Sequence, residues 1–302
     1  MSRVTNQERG KTELVAIIGI VVVFGCVIGG YILSKGHLAT LFQPYEVLVI
    51  VGAALGGLII GTPSILLMSL VNKMKNIFLG KPMNKNTFMD LLKILFELFD
   101  LGRKDGLLAL EGHAEEPEKS LLFQKYPSVA SNKEAVDFLC DSMKMLVGGA
   151  GPHELEELME LSVEIKEEEV HKFSGLLQGV SDGLPALGIV AAVLGIIITM
   201  GSISEGPEVV GHHVAASLVG TFLGVLLSYG LVGPLSNNLG IMGQLEHQYM
   251  ACIKQGLIAF SKGNTAAVSV EFSRRSIFSD YRPGFKEVEE ACKALRVAAK
   301  TE

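Results

Sequence analysis

The chain has no block of lysine and arginine, and its formal charge is −6. It therefore lacks a basic surface that could release counterions from a phosphate backbone, and no nucleic-acid partner is expected. Cysteine is scarce: Cys26, Cys140, Cys252 and Cys292 lie far apart with no CxxC spacing. Neither a disulfide framework nor a zinc site is indicated, and reduced structural thiols are predicted. There is no Walker loop, no GxGxxG after a strand, no HExxH and no GxSxG, and no carboxylates are paired at a spacing suited to acid–base work. The chain does not read as an enzyme, and no cofactor is expected. His212 and His213 are adjacent and so point to different faces of a helix, which suits a polar cap at a membrane interface better than a shared metal.

What is present is apolar sequence. Of 302 residues, 49% are hydrophobic, and the mean hydropathy is +0.40. Those values predict a membrane protein. Four stretches approach the ~20 apolar residues that cross a hydrocarbon core. They fall in two pairs: Leu14 to Leu33 with Val47 to Val71, and Leu184 to Ser202 with Val214 to Leu235. The second stretch is interrupted at Gly61-Thr62-Pro63-Ser64 and is predicted to kink there. Leu14 to Leu33 is too long for the ~7–15-residue core of a signal peptide, so it reads as a true span. The fold class is thus all-α, a polytopic protein with four transmembrane helices and a helical cytoplasmic domain. The expected layout is a cytoplasmic N-terminus (1–13), helices 1 and 2 (14–71), a cytoplasmic helical domain (72–183), helices 3 and 4 (184–235) and a cytoplasmic tail (236–302).

Positive charge sets the orientation. Arg3, Arg9 and Lys11 precede the first span, the turn from Ser34 to Glu46 holds only Lys35, and Lys73, Lys75, Lys81 and Lys85 follow the second span. Both termini and the middle region are predicted to be cytoplasmic. That middle region shows helical periodicity, with Asn86 as a cap for Phe88, Leu91, Leu92, Leu95, Leu98 and Phe99, and Asn132 opening a second run that Gly148 to Gly151 stops. His153 to Lys172 is acidic and is expected to continue into the third span. Residues 71–183 hold 20 acidic and 13 basic residues, while the tail from Ser236 holds 7 and 9. The acidic run suits a solvated helix face, or a docking surface for the tail or for a basic partner.

Within the last two spans, Gly188, Ala192, Gly195 and Thr199 repeat at four, three and four, as do Ser217, Thr221, Gly224 and Ser228. Each helix therefore carries a small, partly polar stripe. Such stripes allow close helix packing, or they line a passage with the Thr221 hydroxyl serving water, an ion or a partner side chain. No Asp, Glu, Lys or Arg falls inside the four predicted spans, so an ion path would need a carboxylate from another polypeptide. Pro185 and Pro234 each remove a backbone donor where a span meets the cytoplasmic domain, as helix ends or as points of bending.

The motifs "YEVLVIVGAALGGLIIG" (45–61), "DGLPALGIVAAVLG" (182–195), "VGTFLGVLLSYGLVGPL" (219–235) and "VEFSRRSIFSDYRPGFKEVEE" (270–290) resemble the MotA/PomA stator subunits of the bacterial flagellar motor. These lie in the wider proton-channel group that includes TolQ and ExbB. The resemblance covers nearly the whole chain. It implies that Pro185 and Pro234 fall on two prolines used in conformational coupling, and that Thr221 falls on the threonine facing the ion-conducting carboxylate; the stripe residues Ala192, Gly195 and Ser217 are expected to line the same ion pathway. It implies that Arg103 and Glu111 engage the rotor protein FliG. It further implies a homopentameric ring around two MotB-type one-span helices that supply a membrane aspartate and are anchored to peptidoglycan, in the bacterial inner membrane and in contact with its lipid.

Protons are the expected coupling ion. Similar sodium-driven stators carry threonines where this chain has Ala192 and Gly220, and a dehydrated sodium ion wants several oxygens. Thr199 is a hydroxyl that could substitute in part. The competing readings are a sodium-driven stator, a TolQ/ExbB-like energiser of an outer-membrane system, a solute transporter and a scaffold that passes no ions. A transporter would need broken helices or an intramembrane charge.

Overall fold

The structure, a computed structural model, describes residues 2–79, 83–201 and 203–298, with the side chains of 2–14, 79, 205 and 298 left aside. Lys81, Ser202 and residues 299–302 lie outside the described residues, and the side chains of Arg3, Arg9 and Lys11 are likewise not described. All regular structure among the described residues is helical. In chain order the helices are α1 (Ser2–Leu33), α2 (Leu38–Leu41), α3 (Pro44–Gly61), α4 (Ser64–Leu79), α5 (Lys85–Lys104), α6 (Glu111–Glu115), α7 (Leu121–Lys125), α8 (Pro127–Ala130), α9 (Lys133–Val147), α10 (Pro152–Gly201), α11 (Pro207–Leu227), α12 (Gly233–Ser261), α13 (Ala266–Arg275) and α14 (Phe285–Ala298). Among the described residues, four segments are long and apolar enough to cross a membrane: Val15–Leu33, Leu38–Gly61, Pro152–Gly201 and Pro207–Ser261.

The chain divides into two compact units, one of Met1–Pro82 with Val170–Met242 and one of Met83–Glu169 with Gly243–Glu302. In the first, the expected kink is a full break. Thr62 is extended because the following Pro63 disfavours helical geometry before it, so α3 stops at Gly61 and α4 begins anew at Ser64. Pro44 opens α3 at a position where a missing N–H costs nothing. This start places Glu46 inside the second span, whereas the sequence pattern left it in the preceding turn. Large apolar side chains such as Leu33, Ile60 and Ile197 stand exposed on this unit. Hydrocarbon covers such surface in a membrane protein.

The second unit has an ordinary apolar core. On α5, Phe88, Leu91, Leu92, Leu95, Leu98 and Phe99 are buried, as the periodicity predicts, and they pack with Tyr249, Ile253, Leu257 and Phe260 of α12. The Phe99 and Phe260 rings stack with centroids 4.8 Å apart. The cap of α5 is Asn84 and not Asn86. Asn84 Oδ1 accepts from the Thr87 amide at 3.0 Å while the Thr87 hydroxyl accepts from the Asn84 amide, and this reciprocal pair leaves Asn86 in the first turn. Asn132 does cap α9, accepting from the Ala135 amide, and Gly149, with φ +95°, follows its end.

Candidate functional site

α10 and α11 meet at backbone contact because the facing residues have no side chains to hold them apart. A Cβ at Gly188 would lie 2.8 Å from the Gly220 carbonyl oxygen, and one at Gly224 would lie 2.6 Å from that of Leu184. A Cβ at Gly195 would collide with the Ser217 hydroxyl. Ser217 is buried and donates to the His213 carbonyl at 2.8 Å, and Thr199 is buried and donates to the Gly195 carbonyl at 2.8 Å. Gly188, Gly195, Ser217 and Gly224 therefore form a packing seam of the small-residue kind.

Two positions in this seam bear on ion chemistry. A Cβ at Gly220 would sit 3.2 Å from the Ala192 amide nitrogen, so Ala192 and Gly220 are neighbours across the helices, and neither brings a hydroxyl. The adjacent Thr221 is half-buried, and its hydroxyl is bonded to no described residue. The same missing side chain at Gly220 admits a group the sequence pattern did not single out. Glu46 Oε2 lies 2.5 Å from where that Cβ would be, buried and without a hydrogen-bond partner.

Pro185 ends no helix, and Pro234 is the second residue of α12, which continues from α11 through a π-helical turn. Pro185 lies within the 50-residue α10. Having no N–H, it cannot bond the carbonyl four residues back, that of Ser181. The hydroxyl of Ser228 takes that carbonyl at 2.7 Å, and the Ser181 hydroxyl donates to the Ser228 carbonyl at 3.1 Å. Both serines are buried. Ser228 opens a π-helical turn, Ser228–Val232, whose wide bond runs from the Gly233 amide to the Ser228 carbonyl. Pro234, next in the chain, cannot donate to Gly230, and a local widening of the ladder is a common response to such a loss. One pair of serines thus joins both proline-altered places. Ser228 was legible as part of a stripe; Ser181 was missed, though its spacing of four before a helical proline marks an orphaned carbonyl.

In the second unit, Arg103 donates to the carbonyls of Phe260 and Asn264, at 2.9 and 2.8 Å, and lies 4.8 Å from the centre of the Phe260 ring. It closes the end of α12. Glu111 opens α6, exposed and in no ion pair with a described residue. The acidic part of α10 meets the tail directly: Lys262 pairs with Glu156 at 2.8 Å and Lys254 with Glu160 at 2.5 Å. The Lys262 hydrogen bond holds the Glu156 carboxyl below the usual carboxylate range. Lys166, 3% exposed, reaches Glu134 at 2.7 Å and Glu246 at 2.9 Å. Burial pulls its pKa down, but Glu246 and Glu134 outweigh burial and leave it above the ordinary lysine value. Burial pushes the Cys252 thiol up to about 12, so it is inert. No group of histidine, cysteine and carboxylates among the described residues could hold a metal.

Residues 17–106 match the family described as Motility protein A N-terminal, and residues 130–250 match the MotA/TolQ/ExbB proton channel family. The chain is similar to Motility protein A of Salmonella typhimurium, with 34% identity over 284 residues that cover 94% of this chain and 96% of the relative. It is similar to Chemotaxis protein LafT of Vibrio parahaemolyticus, with 34% identity over 273 residues covering 90% and 96%. Among solved structures, the fold resembles C. jejuni MotAB, with TM-score 0.75 and 22% identity over 88% of this chain and 96% of that one. It also resembles the flagellar MotAB stator complex from Bacillus subtilis, with TM-score 0.72 and 22% identity over 89% and 98%.

Proposed function

Since this chain belongs to the motility protein A family, within the MotA/TolQ/ExbB proton channel group, we propose that it is the ion-conducting, torque-generating subunit of a flagellar stator. As a member of that group it is a multi-pass protein of the inner membrane and not an enzyme. In the proposed assembly, five copies surround two helices of a MotB-type partner, which is anchored to peptidoglycan and supplies the aspartate that carries the coupling proton. Glu111 and Arg103 face the rotor protein FliG, both termini are cytoplasmic, and passage of protons turns the ring.

The observation that carries the ion assignment is the contact of Ala192 with Gly220 beside the uncommitted hydroxyl of Thr221. That arrangement brings a single side-chain hydroxyl, where similar sodium-driven stators carry threonines at the two neighbouring positions as well and a dehydrated sodium ion wants several oxygens. Thr199 adds little, since it lies seven residues beyond Ala192 on α10, about 10 Å along the helix. Gly195 and Ser217 serve the pathway by holding α10 against α11, and Pro185 in α10 and Pro234 at the start of α12 serve it as places where the helices bend. The aspartate of the partner would meet Thr221, whose hydroxyl both accepts and donates.

Replacing Thr221 by valine removes the hydroxyl and keeps the shape. Swimming of a stator-deleted strain carrying Thr221→Val and its partner should fall by about half or more while membrane level and partner capture stay unchanged. Wild-type speed with this variant would reduce Thr221 to a packing residue and remove it from the pathway.

A further inference from the structure

Glu46 has no part in the mechanism above, in which the titrating acid comes from the partner. It is the only carboxylate between Leu38 and Gly61, and α3 carries it in its first turn, inside the second span. A carboxylate at a helix start ordinarily turns back to the free amides of its own first turn. Glu46 Oε2 instead lies against Gly220 of α11, buried and with no donor. The atoms nearest the Gly220 vacancy besides Glu46 Oε2 are Ala191 Cβ and the Ala192 amide nitrogen of α10, and neither titrates.

Other charged and titratable groups on the neighbouring elements are few. On α11 they are Glu208, His212 and His213, two or more turns nearer its start, and on the membrane part of α10 there is Asp182, which accepts from Gln178 at 2.8 Å. Tyr45, beside Glu46 in the chain, is exposed, and α2 has no titratable residue. Glu46 makes no ion pair with any described residue. An unpaired carboxylate is costly to keep in apolar surroundings, and an ionisable group within a membrane span is by that cost a candidate for function. The two remedies for such a group are a proton and a mobile cation.

We propose that Glu46 is a proton-exchanging carboxyl group of the membrane unit, a second acid on the ion path that this chain itself supplies. The Gly220 side-chain vacancy seats its carboxylate one residue from Thr221. A hydronium ion entering the path protonates the Glu46 carboxylate, one of its O–H bonds breaking as the carboxyl O–H forms; that carboxyl O–H then breaks as the proton passes to a water beside Thr221, whose hydroxyl accepts a hydrogen bond from it, and Glu46 is again a carboxylate. The inference rests on the proton-channel reading, and it deepens that reading by adding an acid to the path.

The test uses the full chain with its one-span partner in a stator-deleted strain. Glu46→Gln keeps size and removes the titrating proton; Glu46→Asp keeps the acid and moves it back by one methylene. Speed is measured across a range of external pH, with membrane level and partner capture followed in parallel. Glu46→Gln should assemble and lose roughly tenfold or more of its proton-driven speed, since an amide cannot take up and release the proton. Glu46→Asp should recover part of the speed with a displaced pH midpoint. Wild-type speed in Glu46→Gln at every pH would overturn the proposal, as would equal losses in both variants with an unchanged midpoint. If the amide variant does not accumulate, Glu46→Asp decides alone, a moved midpoint supporting the role and an unmoved one refuting it. A wild-type chain that restores no swimming would overturn the stator reading, and this proposal with it.

Discussion

At Ser181, the carbonyl that Pro185 cannot reach is taken by a hydroxyl from across the helix pair. Removing that hydroxyl in Ser228→Ala leaves a buried acceptor without its donor, at a cost of about 1–3 kcal/mol. The cost should vanish when Pro185→Ala is added, since the new amide bonds the Ser181 carbonyl within α10. Thermal unfolding of the four chains of this cycle, each purified with the partner, measures the coupling; additive losses would show that Ser228 does not answer for the proline. The residues at this scale divide by legibility. Thr221, Ala192, Pro185 and Pro234 could be picked out because stripe spacing and proline chemistry are written along one helix. Glu46 could not, because its neighbour Gly220 is 174 positions away in the chain and only packing brings them together. Lys166 was equally hidden among acidic neighbours, and its burial between Glu134 and Glu246 depends on three separate helices.

At the scale of the element, α10 and α11 are held by glycine. Gly224 is a sharper test than the others because a Cβ there would meet backbone, the Leu184 carbonyl at 2.6 Å and Gly188 Cα at 2.9 Å, and backbone cannot swing aside. Gly224→Ala should therefore force the helices apart and cost about 1–3 kcal/mol. Its melting temperature, compared with that of Gly211→Ala on the same helix, where a Cβ meets nothing within 4 Å, gives the answer. Equal melting would mean the seam is slack. The elements themselves were largely readable: the apolar face of α5, the Asn132 cap and the unbroken run of α10 follow from periodicity and capping chemistry. The departures have local causes. Asn84 out-competes Asn86 because only it has Thr87 three residues on to reciprocate, and the kink at Gly61 becomes a break because Pro63 holds Thr62 extended.

For the whole molecule, the two compact units divide the chemistry. One leaves apolar side chains exposed for lipid and holds the glycine seam, the serine pair and Glu46. The other buries an aromatic core and ties the acidic stretch of α10 to the basic tail through Glu156, Glu160 and Lys166. Charge imbalance between the middle region and the tail was visible in the sequence, and it resolves into named ion pairs. The central claim is that the chain drives rotation with protons, Ala192 and Gly220 lacking the hydroxyls that similar sodium-driven stators carry there. Its direct test is the swimming speed of a stator-deleted strain complemented with this chain and its one-span partner, with external sodium varied and then a protonophore added. The account predicts that swimming ignores sodium and stops with the protonophore at every sodium level. Speed that follows sodium and survives the protonophore would contradict it.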